Sequence, residues 1–333
     1  MSIRIIKQGI LDIVQDAGRY GYQHLGINPG GVADRLAFSV ANMLVGNKED
    51  EAVIELHYPA SSILFEEDAM IALSGADFNA CINSEAIPIN TPVLVGKGSV
   101  LEFIRPIHGC RCYLSVKGGF QTGEWLGSYS TNTKAQAGGY KGRGLIAGDT
   151  LLFKNDFSFP KTIAGKSFLA LGWRADVAPL YLQQPVIRIC RGNEYDQLTE
   201  ASRELLINTA FTITHENDRM GCRLLGISLQ KKAETELVSS AVTRGTIQLL
   251  PGGQLIILTA DHQTTGGYPR IAHVVSADMP TLAQQQPGGT LGFKWIDIAE
   301  AETLLIRQHR YLLQLQIACN LRLEEFFSAH ALY

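Results

Sequence analysis

No stretch of this 333-residue chain holds the roughly 18 uninterrupted apolar residues that a membrane-spanning helix needs. The start, Met-Ser-Ile-Arg-Ile-Ile-Lys-Gln, reaches charge too soon for the core of a signal peptide, so the expected location is the cytoplasm, with no membrane partner. Neither sign of charge dominates. A net charge of -3 with both signs interspersed leaves no basic stripe for a phosphate backbone, which sets nucleic acid aside in favour of a small-molecule or protein partner. The six cysteines, Cys81, Cys110, Cys112, Cys190, Cys222 and Cys319, include no C-x-x-C pair, and the eight histidines no H-x-H or H-x-x-x-H. A disulfide framework and a metal site are therefore not expected. G-x-S-x-G is missing as well, and Ala164-Gly165-Lys166-Ser167 ends like a phosphate-binding loop but has Pro160 where that loop needs glycine, so no nucleotide site is expected in this chain.

What is present is glycine, 33 residues of it, and short apolar runs between turn signals. That pattern predicts a mainly β chain of barrels or sandwiches with a few bracing helices. Cys110, Cys112, Leu114 and Val116 alternate with Arg111, Tyr113, Ser115 and Lys117, predicting a half-buried strand that stops at Gly118-Gly119. Residues 247–250 and 255–258 flank Pro251-Gly252-Gly253 as a hairpin. Helices are predicted over 34–45, opening at Asp34 and ending at Gly46-Asn47; over 196–207, opening at Asp196 and burying Leu198, Ala201, Leu205 and Leu206; and over 298 to about 318, with Asp297 and Glu300 at its start and Leu304, Leu305, Leu312 and Leu315 inward. Pro179 and Pro185 bracket a linker, giving two domains, 1–180 and 181–333.

The densest polar segment is Asp261-His-Gln-Thr-Thr-Gly-Gly-Tyr-Pro-Arg270, set against the apolar run 255–258. Asp261, Gln263, Thr264, Thr265 and Tyr268 supply donors and acceptors, and Gly266 and Gly267 allow positive φ and close approach to a ligand. A well-made hairpin corner would look the same, so both readings stay open. Other polar turns share its character: Gln15-Asp16-Ala17-Gly18-Arg19, Asn28 to Asp34, Leu126 to Thr133 leading into Gly142-Arg143, Asn217-Asp218-Arg219-Met220-Gly221-Cys222-Arg223, and Arg244-Gly245-Thr246-Ile247-Gln248. Adjacent Asp and Arg can be ion pairs that pin strands, or guanidinium groups that stabilise an oxyanion while Asp16, Asp218 or Asp261 moves the proton. On the second reading Asp16, Arg19, Arg143, Asp218, Arg219 and Asp261 converge in one catalytic site, gathered with the other polar turns at the mouth of a barrel.

These stretches, with Ala41-Asn42-Met43-Leu44, Glu55, Ser74-Gly75-Ala76 and Leu282-Ala283-Gln284, resemble the biotin-dependent carboxyltransferase family that includes allophanate hydrolase subunit 2, the KipI antagonists and the C subunit of bacterial 5-oxoprolinase. The resemblance implies two tandem cyclophilin-like β-barrel domains. It also implies a heteromeric complex with a B-subunit or KipI-like homologue and an A-subunit homologue, ATP used by the complex, and an amide or lactam substrate such as 5-oxoproline, opened to glutamate. A carboxyltransferase half-module using biotin, and a non-enzymatic antagonist of a histidine-kinase inhibitor, are the alternatives it carries. Gln15, Asp34, Asn42, Gln248, Gln263, Thr264, Thr265, Gly266, Gly267 and Tyr268 are then the candidate substrate-binding residues. Ser239-Ser240 stands where relatives usually carry Ser-Glu.

Overall fold

The computed structural model describes residues 1–154, 165–233 and 236–330; Pro160 and Ala164 lie outside them. The chain is mainly β, with four helices among the described residues: α1 Arg35–Val45, α2 Glu200–Asn208, α3 Met279–Ala283 and α4 Ile298–His330. It divides into two compact units. One holds Met1–Gly18, Asp34–Ala178 and Arg310–Tyr333, the other Arg19–Ala33 and Pro179–His309. The change after Ala178 falls beside the prolines of the expected linker, while segments 19–33 and 310–333 belong to the opposite unit from their position in the chain.

The first unit is built from two six-stranded sheets. One runs in the order Thr150–Leu152, Ser2–Lys7, Ser62–Phe65, Val100–Phe103, Ala80–Ile82, Glu85–Ala86; the other in the order Phe168–Ala170, Pro92–Val95, Ala69–Asp77, His108–Val116, Val53–His57, Ile13–Gln15. Ile3, Ile5, Ile63 and Leu101 of the first sheet share one core with Ile54, Leu56, Ile71 and Leu114 of the second. Helix α1 starts where the sequence says it should, because the Asp34 carboxylate accepts from the Ala37 amide at 3.0 Å. It ends at Gly46, φ 69°, whose N–H returns to the carbonyls of Asn42 and Met43.

Strand His108–Val116 corrects the half-buried expectation. Cys112, Leu114 and Val116 enter the core, yet Arg111, Tyr113 and Ser115 on the other face are buried too. Helix α1 covers that face: the Tyr113 hydroxyl accepts from the Asp34 amide at 2.8 Å and donates to Glu55 Oε2 at 2.9 Å, and Ser115 donates to Asn42 Oδ1 at 2.7 Å. Burial, then the nearby Glu55 carboxylate, pushes the Tyr113 hydroxyl well above the ordinary tyrosine range.

The second unit closes as a seven-stranded barrel: Val186–Arg191, Arg270–Val274, Thr246–Leu249, Leu255–Leu258, Gly221–Leu225, Phe211–Ile213, Thr290–Trp295, the last pairing parallel with the first. The predicted hairpin is there, with Ile247 opposite Ile257 and Leu249 opposite Leu255. Helix α2 begins at Thr199, not Asp196: the Thr199 hydroxyl caps Ser202, and Asp196 lies in a 3-10 turn, Tyr195–Gln197. The shift exposes Ala201 while Leu198 and Leu206 stay buried. Helix α4 opens as expected, the Asp297 carboxylate accepting from the Glu300 amide at 2.7 Å, but runs about three turns past 318, burying Cys319 and Leu323 and leaving Leu305 exposed.

Candidate functional site in the second unit

Along the barrel strands Cys222, Leu224, Ile247, Leu249, Leu255 and Ile257 fill the core, so the residues between them face outward. Arg223 is paired with Ile256, and Ile256 with Gln248, which sets these three side chains in one row across three neighbouring strands. The row floors a cavity of about 390 Å³, also lined by Asp218, Met220, Gly221, Leu250, Pro251, Gln263 and Tyr268. The cavity therefore lies against the outer wall of the barrel, not in its mouth, where the polar turns were expected to gather.

Each polar group there has a local cause. Asp218 Oδ1 accepts from the amides of Met220 at 2.8 Å and Gly221 at 3.0 Å, fixing the turn into the strand and leaving its second oxygen for an occupant. Gly221 lets Ile256 lie close against the strand, since a Cβ there would sit 2.5 Å from Ile256 Cδ1 and push that side chain aside. Gln248 is 1% exposed although it faces outward, because residues of the 261–270 loop cover it. Its carboxamide oxygen accepts from Gln263 Nε2 at 3.4 Å and its nitrogen points to the Tyr268 carbonyl at 3.5 Å, both long contacts that an occupant can replace. Arg223 is 3.6 Å from Glu216, an exposed and loose pair that leaves the guanidinium available.

The 261–270 loop turns out to be both things its sequence allowed. Thr265–Gly266 forms a short antiparallel pair with Ser240–Ala241, and the Thr264 carbonyl accepts from Val242, so its middle is a corner. Gln263 and Tyr268 on either side line the cavity. Neither Gly266 nor Gly267 has positive φ. At Gly266 a Cβ would meet Gln248 Nε2 at 2.6 Å, so the close approach is to a side chain of the chain itself and a larger residue would displace that carboxamide. His262 is buried, its Nδ1 2.6 Å from the Gln263 carbonyl, and burial holds its imidazole below the usual range.

Arg219 and Asp261 stand beside this cavity without lining it. Arg219 donates Nε to Asp261 Oδ2 at 2.8 Å and Nη2 to Oδ1 at 3.1 Å, and Nη2 also reaches the Gly31 carbonyl at 2.6 Å. Arg244 donates to the carbonyls of Val32 and Ala33. Arg19 is buried, with its amide on the Pro29 carbonyl at 2.7 Å. Gly30, φ 63°, lies between: a Cβ there would be 3.2 Å from Arg19 Nη1 and 3.6 Å from Asp261 Oδ1. Arg219 and Arg244 thus clamp segment 19–33 through its carbonyls, and Arg19, Arg219 and Asp261 do come together around Gly30, with Asp261 held by Arg219.

The remaining candidates belong to the first unit and are used for its own architecture. Asp16 accepts from the Ser128 and Ser130 hydroxyls at 2.7 and 2.5 Å and from the Tyr129 amide at 2.6 Å. Arg143 forks onto Asp149, with bonds of 2.6 and 2.8 Å. Asp34 caps α1, and Asn42 donates to the Glu51 carbonyl while accepting from Ser115 and Asn47. Gln15 is buried, its amide on the Thr131 carbonyl at 3.1 Å. Asp16, Arg143, Gln15, Asp34 and Asn42 thus each have hydrogen-bond partners within the first unit, and none of them lines the cavity on the barrel wall. Arg223 stands in sequence among the glycine-flanked arginines of the polar turns without a role of its own, and the apolar lining of Met220, Leu250, Pro251 and Ile256 carries no motif; the alternation along 221–225 and 255–258 is the signal that points to them. Among the described residues no group of three or more His, Cys, Asp or Glu side chains could hold a metal ion, and no helix is long and apolar enough to cross a membrane.

Residues 25–295 match the family described as carboxyltransferase domain, subdomain A and B. The chain is 35% identical over 312 residues to the C subunit of 5-oxoprolinase from Haemophilus influenzae, covering 92% of this chain and 97% of that protein. It is 34% identical to the C subunit of 5-oxoprolinase from Escherichia coli, covering 94% and 97%. Among solved structures, the K. lactis urea amidolyase superposes with a TM-score of 0.84 at 27% identity over 94% of this chain, which spans only 20% of that one. On this end-to-end agreement, the chain belongs to the carboxyltransferase domain family of subdomains A and B.

Proposed function

We propose that this chain acts as the C subunit of a 5-oxoprolinase: in complex with A-subunit and B-subunit homologues it takes part in the ATP-dependent opening of 5-oxoproline to glutamate in the cytoplasm. The observation that carries the reading is similarity along 97% of the length of two proteins so named. The cavity in the second unit supports it chemically. A lactam bearing a carboxylate needs a cation for the carboxylate, donors for the ring carbonyl and an acceptor for the ring N–H. Arg223 is the cation, Gln263, Gln248 and the Tyr268 hydroxyl the donors, and the second oxygen of Asp218 the acceptor, while Met220, Leu250, Pro251 and Ile256 take the ring methylenes. Donors aimed at the carbonyl oxygen favour the tetrahedral state in which that oxygen gains charge, and Asp218 is placed to move the proton.

ATP makes the opening of an unactivated lactam favourable. With Arg223 as its single cationic side chain and Asp218 beside it, the cavity does not suit a triphosphate, so no step here is routed through the nucleotide. A carboxyltransferase half-module of a urea or amide carboxylase is the second reading, favoured by the likeness to urea amidolyase. The same donors would fit the ureido oxygen of biotin, which when bound would supply the carboxyl group. Reconstitution of the chain with its A-subunit and B-subunit homologues separates the two. The proposal expects 5-oxoproline-dependent ATP hydrolysis with release of glutamate; hydrolysis indifferent to 5-oxoproline, or carboxylation of an amide that depends on biotin, would overturn it.

A further inference from the structure

Helix α4 carries a second apolar face. Cys319 and Leu323 are buried on one side, and on the other Leu313, Ile317 and Leu321 are 42, 61 and 55% exposed. At about 100° per residue these three fall within roughly 80° of one another, opposite the buried side. Single exposed apolar residues are ordinary, but three in line at successive four-residue steps form a seam. Arg310 and Glu324 lie on the same stripe, seven residues before and seven after Ile317; both are exposed, and among the described residues neither is in an ion pair. The stripe therefore reads cation, Leu, Ile, Leu, anion, and it is complementary to itself when reversed.

We propose that this face is a contact between two copies of the chain, packed antiparallel with Ile317 on the two-fold axis. Leu313 of one copy meets Leu321 of the other, and Arg310 meets Glu324 at both ends. A heterologous partner would have no reason to match a pattern symmetric about one residue, whereas an isologous contact requires it. The stripe is about 21 Å long, and a single helix pair of that length buries less than the roughly 1,200 Å² of a standard stable interface, so the dimer forms and dissociates with concentration.

Sedimentation velocity on the full chain from low to high micromolar concentration tests this. Expected are a dimer fraction that rises with concentration, its loss in Ile317→Asp with unchanged circular dichroism, and about tenfold or greater weakening in Arg310→Glu or Glu324→Arg alone, since each sets like charges against each other. The double exchange R310E/E324R restores the dimer, which no merely structural role for either residue would do. A wild-type chain that stays monomeric throughout overturns the proposal, as does an Ile317→Asp dimer or a double exchange that fails to restore. If the wild type is monomeric and Ile317→Asp instead loses binding to the B-subunit homologue, the stripe belongs to that partner and the proposal also fails.

Discussion

Replacing Arg219 with alanine separates a clamp from a catalyst. Arg219 and Asp261 are 8 and 21% exposed, so their pair lies well below the surface regime in which ion pairs contribute about 0–1 kcal/mol. At least three charge-assisted hydrogen bonds vanish with the guanidinium, among them two to Asp261 and one to the Gly31 carbonyl. Removing one partner of a buried pair costs about 3–5 kcal/mol, and the partial exposure of Asp261 places this case near the lower end. The Gly31 carbonyl loses a charged donor as well. The sum is about 3–4 kcal/mol, a large share of the roughly 5–15 kcal/mol that holds a native protein. Urea denaturation reads the loss directly, and limited chymotrypsin digestion reads where it falls, because Tyr20 in segment 19–33 is exposed. Arg219→Ala is expected to lose that stability and to become cleavable in the segment, with Arg219→Lys between it and the wild type. A variant within about 1 kcal/mol of wild type, equally protected and yet inactive, would refute the clamp and return Arg219 to the chemistry.

Three further outcomes follow from the same structure. Gly266→Ala sets a methyl 2.6 Å from Gln248 Nε2, the movable end of a side chain, so steady-state kinetics of the assembled complex are expected to worsen about tenfold while the melting temperature holds. Asn42→Ala strands Ser115, Asn47 and the Glu51 carbonyl in the first unit and is expected to cost about 2–4 kcal/mol in urea titration, with the ligand affinity of the second unit unchanged. His262 and His273 are both held below the ordinary imidazole value of 6.5 by burial first, so the stability they contribute is present above that value and is lost as pH falls through their lower folded values. Melting temperature followed from about pH 7.5 downward is expected to drop through this window, and the drop is expected to be shallower in His262→Gln.

Local chemistry is what the sequence made legible. The cap at Asp34 and the stop at Gly46 are decided within one turn of α1 and could be read directly, as could the 246–258 hairpin. The burial of Arg111, Tyr113 and Ser115 could not, since Tyr113 bonds to the Asp34 amide 79 residues away and only the covering helix makes that face dry. The polar turns posed the harder problem. Asp16 and Arg143, which brace the first unit, look in sequence just like Asp218 and Gln263, which line the cavity, because a charged or amide side chain beside glycine serves either end. Contacts such as Arg219 with Gly31, 188 residues apart, decide which, and they also place segment 19–33 in the second unit. Gly266 was visible as special, but its reason lay in Gln248, a residue of another strand.

The most direct test of the account is the Michaelis constant of Arg223→Ala in the reconstituted complex, measured with 5-oxoproline and with a lactam lacking the carboxylate, such as 2-pyrrolidinone. Loss of a charge-assisted contact of about 1.5–3 kcal/mol predicts a rise of roughly ten- to a hundred-fold for 5-oxoproline and little change for the neutral lactam. Equal constants for wild type and variant with 5-oxoproline would show that the substrate carboxylate is held elsewhere and that the cavity beside Gln248 is not where the amide is opened.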